Sequence, residues 1–275
     1  MIPDVVLQAF DVREVTPQRL PGGQGTTWRA GPLILKPTDN ETEAAWTAEL
    51  YAVLPERGFR IPHPFKSQLG AYVAHGWAAW ECVEGEPDMG GRWGEKLAVC
   101  DAFHRALVGL PQPSFFDARR DPWARADRLT WGTVFPNVHP WLRDPVERLW
   151  KLLRPLELPS QLIHGDISGN ILFATDQEPA VIDFSPYWRP AGFAAAVLIA
   201  DAAVWEGADP DKLFVSASSV EQLDQLVVRA ELRRLLELDG HALIGGVNQR
   251  HLEETGQHLP FVAFLERKLT RGVVR

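Results

Sequence analysis

Residues 162–173 read Leu162-Ile163-His164-Gly165-Asp166-Ile167-Ser168-Gly169-Asn170-Ile171-Leu172-Phe173. Within this stretch, an acid and an amide lie on one tight loop between two apolar segments. Further along the chain, Val181-Ile182-Asp183-Phe184 brings another acid after a short predicted hairpin. The pattern places three oxygen-bearing side chains in or beside short turns, where loop residues are free to contact a ligand.

Phosphoryl transfer is the chemistry that suits this order of groups. It needs a carboxylate beside the acceptor hydroxyl and oxygen ligands that hold Mg²⁺ against nucleotide phosphates. We predict that Asp166 orients the acceptor hydroxyl and takes its proton. Asn170 and Asp183 are the predicted metal ligands. We interpret His164 as a structural residue that braces the loop.

Composition and charge argue against several other classes of protein. The 275 residues include 28 basic and 36 acidic side chains, and the net charge of −8 argues against nucleic-acid binding. With 45% hydrophobic residues, the chain is expected to fold. Two cysteines, Cys82 and Cys100, exclude a disulfide scaffold and fit a reducing cytoplasm. We expect no membrane span and no signal peptide, because the apolar run 193–204 is short and contains Asp201, and Met1-Ile2-Pro3-Asp4 lacks a basic, apolar start.

The order of predicted elements indicates an α+β protein with two lobes. The first eighty residues contain strands and turns, including the strand Leu33-Ile34-Leu35-Lys36 and a hairpin that turns at His75-Gly76. A helix is predicted from about Asn40 to Leu54. Later segments are mostly helical, with predicted helices over 93–108, 140–153, 218–238 and 260–269. We therefore predict an N-terminal nucleotide-binding lobe, 1–84, and a C-terminal catalytic and substrate lobe, 85–275.

The 162–173 segment and Asp183 resemble the catalytic and metal-binding loops of the aminoglycoside phosphotransferase family, which includes choline kinases. The loop 185–190 is similar to that of an actinobacterial subgroup. The resemblance implies the bilobal protein-kinase-like fold, with a small antiparallel sheet in one lobe and mainly helices in the larger one. One departure concerns Asn170, which stands one residue closer to Asp166 than in the family's usual loop.

The same resemblance implies a set of nucleotide-binding residues upstream. Gly23 and Gly25, in Gly22-Gly23-Gln24-Gly25, correspond to the loop that covers the nucleotide. Lys36 corresponds to the lysine that grips the α- and β-phosphates. In the interlobe linker, the Glu81 carbonyl and the Val83 N–H would bond the adenine. ATP and Mg²⁺ are the implied cofactors.

Two glutamates could pair with Lys36. Helical periodicity places Glu43 on the same stripe as Trp46 and Leu50, facing inward. Chain geometry instead favours Glu49, because the strand must end and a helix must begin within the few residues between Lys36 and Glu43. We predict Glu49.

The expected function is a cytoplasmic, ATP- and Mg²⁺-dependent transfer of phosphate to a small-molecule hydroxyl, on an amino sugar, an aminoglycoside or a related alcohol. A nucleotide-binding scaffold with weak or no catalysis is the first alternative, motivated by the short spacing between Asp166 and Asn170. A peptide or protein kinase is the second. It ranks lower because the proline-bounded loop 184–190 leaves little room for an activation segment.

Overall fold

The structure, a computed structural model, describes residues 1–21, 25–88 and 90–271. Its helices are α1 (Asp4–Ala9), α2 (Glu41–Tyr51), α3 (Trp93–Ala106), α4 (Pro122–Thr130), α5 (Arg143–Leu152), α6 (Gly192–Trp205), α7 (Pro210–Ser216), α8 (Leu223–Gly245) and α9 (Gln249–Arg271). Its strands are β1 (Gln18–Arg19), β2 (Trp28–Ala30), β3 (Leu33–Pro37), β4 (Pro64–Phe65), β5 (Val73–Ala74), β6 (Trp77–Glu81), β7 (Glu86–Pro87), β8 (Gln161–His164), β9 (Ile171–Phe173), β10 (Ala180–Val181) and β11 (Pro186–Arg189). Short 3₁₀ helices span Ser114–Ala118 and Pro140–Leu142.

The chain forms two compact units. The first unit contains Met1–Pro87 and Asn170–Phe184, and the second contains Asp88–Gly169 and Ser185–Arg275. This grouping differs from the predicted lobes, 1–84 and 85–275, chiefly in the hairpin 170–184. The hairpin joins the first unit because β9 pairs with β7, with Glu86 opposite Phe173.

The first unit is built on an antiparallel sheet. Its strand order is β1-β2-β3-β6-β4, and β5 also pairs with β6. The predicted turn between β5 and β6 is present, and both His75 and Gly76 have positive φ, as a tight hairpin turn requires. Buried apolar side chains of α1 and β3, among them Val6 and Leu35, form the core beneath the sheet.

Helix α2 follows directly after β3. Asn40 caps its first turn by accepting a hydrogen bond from the Glu43 N–H. The helix buries a face that contains Thr47, Ala48 and Tyr51. Packing of this face sets the rotation of the helix and therefore directs Glu49 outward.

The second unit is mainly helical, and its core lies around α6 and α8. Most of α6 is buried, which explains why the run 193–204 is apolar on all sides apart from Asp201. The predicted helix at 260–269 is part of a longer helix, because α9 starts at Gln249 and continues through Pro260. The predicted start at Pro260 is therefore wrong, because this proline lies inside the helix. Among the residues described, we find no helix that combines the length and apolar character needed to cross a membrane.

Candidate active site

Lys36 and Asp183 form an ion pair in the first unit. Lys36 lies on the less buried face of β3, where side chains alternate between the core and the opposite face. Asp183 follows β10 with a φ of 53°, a left-handed conformation that aspartate tolerates better than most residues. The side chains of Lys36 and Asp183 are 29% and 41% exposed, so a ligand can reach both. Burial of its stem and amine lowers the pKa of Lys36 to about 8.

Asn170 and Asp183 lie at the same end of the β9–β10 hairpin. Ile171 pairs with Val181, and the Ile182 N–H donates to the Asn170 carbonyl at 2.9 Å. This register brings an amide and a carboxylate to one end of a rigid ladder. Their oxygens are the ligand type that Mg²⁺ prefers, so these residues fit the predicted metal. The described residues contain no group of three or more His, Cys, Asp or Glu side chains suited to a metal.

The linker after β6 presents backbone groups next to this hairpin. The Glu81 N–H donates to the His63 carbonyl and the Cys82 N–H to the Pro32 carbonyl, both at 2.8 Å. In the described part of the chain, no hydrogen bond uses the Val83 N–H. This donor is therefore available for a ligand, and its role toward adenine stays a prediction.

Gly85 lets the linker approach β9 closely. Its φ is +140°, and an added Cβ would lie 2.9 Å from the Leu172 Cβ and 3.2 Å from the Phe173 backbone. A side chain at residue 85 would push the linker away from the hairpin that carries Asn170 and Asp183.

Arg60 ties the same two segments together, and sequence reasoning missed it. Its guanidinium donates to the Glu84 carbonyl at 2.9 Å and to the Glu178 carbonyl at 2.7 Å. Its backbone N–H donates to the Pro179 carbonyl, and its carbonyl accepts from the Val181 N–H, both at 2.8 Å. No local pattern marks this arginine, because its partners are distant in sequence.

The loop that carries Asp166 is held by the β8–β11 ladder in the second unit. The Gly165 N–H donates to the Ser185 carbonyl at 2.8 Å. An added Cβ at Gly165 would lie 2.2 Å from the Tyr187 ring, so only glycine fits there. His164 is fully buried and accepts from the Asp166 N–H at Nδ1 over 3.1 Å, as a loop-bracing residue should.

Asp166 is ion-paired with Arg234 of α8 at 2.7 Å, and its side chain is 47% exposed. Partial burial would raise the pKa of Asp166, but the charge and hydrogen bond of Arg234 hold it below the usual value. Arg233, the residue before Arg234 on α8, donates a hydrogen bond to the Gly165 carbonyl. Two adjacent arginines of α8 therefore hold two adjacent residues of the loop.

A buried ion pair holds the other half of the loop. The Ser168 hydroxyl donates to Glu206 Oε1 at 3.3 Å, and Lys96 Nζ lies 3.2 Å from Glu206 Oε2. Lys96 and Glu206 are almost completely buried. The segment from Asp166 to Asn170 is one residue shorter than in the family's usual loop. The part of this loop that belongs to the second unit is held by arginines of α8 on one side and by Glu206 on the other.

A family comparison identifies the chain. Residues 24–187, more than half of its length, match the model of the family described as "Phosphotransferase enzyme family". The chain belongs to this family. The predicted family membership is thus confirmed, whereas a comparison with curated protein sequences gave no match.

Solved structures share the fold of this phosphotransferase at low sequence identity. Choline kinase LicA from Streptococcus pneumoniae has a TM-score of 0.63 at 13% identity and covers 94% of this chain and 98% of that one. Amicoumacin kinase hAmiN, in complex with AMP-PNP, Ca²⁺ and Ami, has a TM-score of 0.62 at 16% identity, with coverage of 96% and 92%. AMP-bound spectinomycin phosphotransferase APH(9)-Ia has a TM-score of 0.60 at 15% identity, with coverage of 96% of both chains. The predicted kinase-like α+β fold is confirmed.

The prediction that Glu49 fixes Lys36 needs correction. The structure pairs Lys36 with Asp183, and Glu49 is exposed on α2. The reason is helix rotation, because the buried face of α2 contains Thr47 and Tyr51 and directs position 49 outward. Glu43 lies in the first turn and bonds the Asn40 side chain at 3.2 Å.

The predicted glycine loop is described only at one end. Gly23 lies outside the described residues. Gly25 has a φ of +65°, and its carbonyl accepts a hydrogen bond from the Arg19 side chain. The positive φ accounts for glycine at position 25. The role of both residues toward a nucleotide stays a prediction.

Proposed function

We propose that this phosphotransferase uses ATP and Mg²⁺ to phosphorylate a hydroxyl of a small molecule, such as an amino sugar, an aminoglycoside or a related alcohol. The ion pair between Lys36 and Asp183 is the observation that carries the proposal. It joins a strand lysine suited to phosphate oxygens with a carboxylate suited to a divalent metal. Both side chains are partly exposed, which ligand binding requires.

The first unit supplies the nucleotide-binding groups. Lys36 binds the α- and β-phosphates, while the Glu81 carbonyl and the Val83 N–H bond the adenine. The unused Val83 N–H supports this role. Further support comes from the structural relatives, which include a phosphotransferase bound to AMP and a kinase bound to AMP-PNP and Ca²⁺.

Asn170 and Asp183 would hold Mg²⁺ at the end of the β9–β10 hairpin. When bound, Mg²⁺ neutralises negative charge on the phosphate oxygens. In the structure, Lys36 and Asp183 neutralise each other. On nucleotide binding, Lys36 would exchange the carboxylate for phosphate oxygens and release Asp183 to the metal.

Asp166 orients the acceptor hydroxyl for attack on the terminal phosphorus and takes its proton. A carboxylate with a lowered pKa is ionised at neutral pH and ready to accept a hydrogen bond. We expect most of the acceleration from positioning and charge stabilisation, as in other phosphoryl transfers.

A small-molecule acceptor is favoured over a protein substrate by the segment after Asp183. Ser185 already bonds the Gly165 N–H, and β11 starts at Pro186. The chain therefore enters a strand at once, where a protein kinase needs a long activation segment. The relatives named for choline, spectinomycin and amicoumacin support small acceptors. We place the reaction in the cytoplasm, in keeping with the free thiols of Cys82 and Cys100.

A screen for ADP release tests the proposal. The purified protein is incubated with ATP and Mg²⁺ and with amino sugars, aminoglycosides, choline-like alcohols or monosaccharides. Product phosphorylation is verified by ³¹P NMR, and Asp166→Asn serves as the inactive control. Thermal shift with ATP, with and without Mg²⁺, measures binding separately.

Acceptor-dependent ADP release with a phosphorylated product is the expected result. Binding of Mg·ATP without turnover on any acceptor would favour the scaffold alternative and contradict the proposal. Labelling of peptides but not of small molecules would contradict the acceptor class.

A further inference from the structure

Arg234 approaches Asp166 from the middle of α8. Its Nη2 donates to Asp166 Oδ1 at 2.7 Å, and the neighbouring Arg233 donates to the Gly165 carbonyl. We propose that Arg234 is a positioning residue, which fixes the Asp166 carboxylate in the orientation from which it receives the acceptor hydroxyl. This inference rests on the proposed function of Asp166.

The donors of Arg234 are already committed to the protein. Nε and Nη2 bind the two oxygens of Asp201 at 2.8 and 2.6 Å, and Nη1 binds Glu237 at 3.0 Å. The guanidinium also lies 5.7 Å from the centre of the Trp205 ring. A planar guanidinium bound on this many sides has one orientation. Arg234 is therefore suited to orient Asp166 rather than to bind an acceptor itself.

Asp201 and Glu237 hold Arg234 in place, and we call Arg234 together with these two carboxylates the clamp. Both carboxylates are buried, as is Arg234. Asp201 lies on α6 and Glu237 on α8, so the clamp crosses the packing interface of two core helices. Because buried helices do not shift easily, they give the half-exposed Asp166 the rigidity of the core.

The positive charges around Asp166 favour its ionised form, which is the form that Arg234 binds. Partial burial alone would raise the pKa of Asp166, whereas Arg234, Arg233 and His164 lower it. Burial raises the pKa of Asp201 to about 6, with Arg234 opposing the shift. Removing Arg234 therefore leaves two neighbouring carboxylates without their shared cation.

The test compares Arg234→Gln and Arg234→Lys with a matched control. Lysine keeps the charge but loses the planar fork, and glutamine loses both. The control is Arg125→Gln, because Arg125 also pairs with a buried carboxylate of α8, Asp239, at 2.9 Å. For each variant, kcat and KM for ATP are measured across the pH range in which the protein is folded. Carboxyl ¹³C NMR follows the titration of Asp166, assigned with Asp166→Asn.

We expect Arg234→Gln to lower kcat by about 10²-fold, the effect of a small displacement of a reacting group, with little change in KM for ATP. Its Asp166 pKa should rise, because the charge and hydrogen bond that lower it are lost, and this adds an acid limb to the kcat profile. Arg234→Lys should keep the wild-type profile with an intermediate kcat. Arg125→Gln should change neither the profile nor the NMR titration.

Two outcomes overturn the inference. One is wild-type kcat in Arg234→Gln. The other is a loss of activity with an unchanged Asp166 titration, because this would mean that Arg234 supports only the fold. If the wild-type protein phosphorylates no acceptor, the proposed function fails separately, and an unchanged NMR titration in both Arg234 variants would still reject the clamp.

Discussion

The two units hold the two acids proposed for the reaction in opposite ways. In the first unit, Asp183 pairs with one partly exposed lysine, Lys36. In the second unit, Asp166 contacts Arg234, which is buried and bound on its other sides by Asp201 and Glu237. The first arrangement can exchange partners, whereas the second can only hold one geometry.

The two kinds of ion pair differ in how much free energy is needed to separate them. A partly exposed ion pair stabilises a protein by about 0–1 kcal/mol, so separating Lys36 from Asp183 costs little. Removing one partner of a buried ionic network costs about 3–5 kcal/mol, because the remaining charge is left uncompensated. The ion pair of the first unit is therefore easily separated, whereas the ionic network of the second unit holds Asp166 in place.

The largest expected effect is that of Asp183→Ala. Without the carboxylate, Mg²⁺ loses a ligand, and we expect metal-dependent turnover to fall to the background of the ADP-release assay. Chemical denaturation should show a loss of only about 1–2 kcal/mol, mainly because alanine tolerates the left-handed backbone at position 183 less well than aspartate. Retention of Mg²⁺-dependent turnover would reject the metal-binding role.

Asp166→Ala should have the next largest effect. We expect kcat to fall by about 10²–10⁴-fold, the range for loss of a general base, with ATP affinity close to that of the wild type. Steady-state kinetics and ATP titration measure the two quantities. A variant with full kcat would show that another group orients the hydroxyl.

Asp201→Asn tests the buried ionic network of the second unit. It leaves Arg234 with two of its three carboxylate partners, so we expect a loss of about 1–3 kcal/mol in the free energy of unfolding. Lys36→Met is the matched variant from the first unit and should lose about 1 kcal/mol at most. Equal losses in urea denaturation would contradict the proposed difference between the units.

A pH series tests the exchangeable lysine. Below pH 8 the Lys36 ammonium is charged and attracts phosphates, and above pH 8 it loses its proton because burial lowers its pKa to about 8. ATP affinity should therefore fall by up to about tenfold per pH unit above this value. Isothermal titration between pH 7 and 10 measures it. Lys36→Arg should bind ATP with no such slope, because arginine stays charged; the same slope in this variant would assign the effect to another group.

Arg60→Ala should produce the smallest effect. It removes the bonds to the Glu84 and Glu178 carbonyls without touching a reactive group. We expect a loss of about 0.5–1.5 kcal/mol in stability and weaker ATP binding, because two exposed hydrogen bonds that join the linker to the hairpin are lost. Denaturation and titration measure both. Arg57→Ala, a change at an exposed arginine close by in sequence, is the control and should leave both unchanged.

Features of the site that depend on neighbouring residues were predicted from the sequence, whereas contacts between residues far apart in the chain were not. The strand lysine, the hairpin acids and the turn at His75-Gly76 depend on neighbouring residues, and the structure has these elements where the sequence predicts them. The partner of Lys36 was predicted wrongly, because it depends on the rotation of α2 and on a hairpin far along the chain. Arg60 and Arg234 had no local signal at all.

Local patterns in the amino-acid sequence determined the α+β order of elements and the residues suited to phosphoryl transfer, and the resemblance of these residues to a known family implied the fold. They did so because turns, strand alternation and loop chemistry are set by adjacent residues. Only tertiary structure decided that Asp183 faces Lys36 and that Arg234 holds Asp166. These pairs join residues far apart in the chain, and their energies exist only after the helices and hairpins have packed.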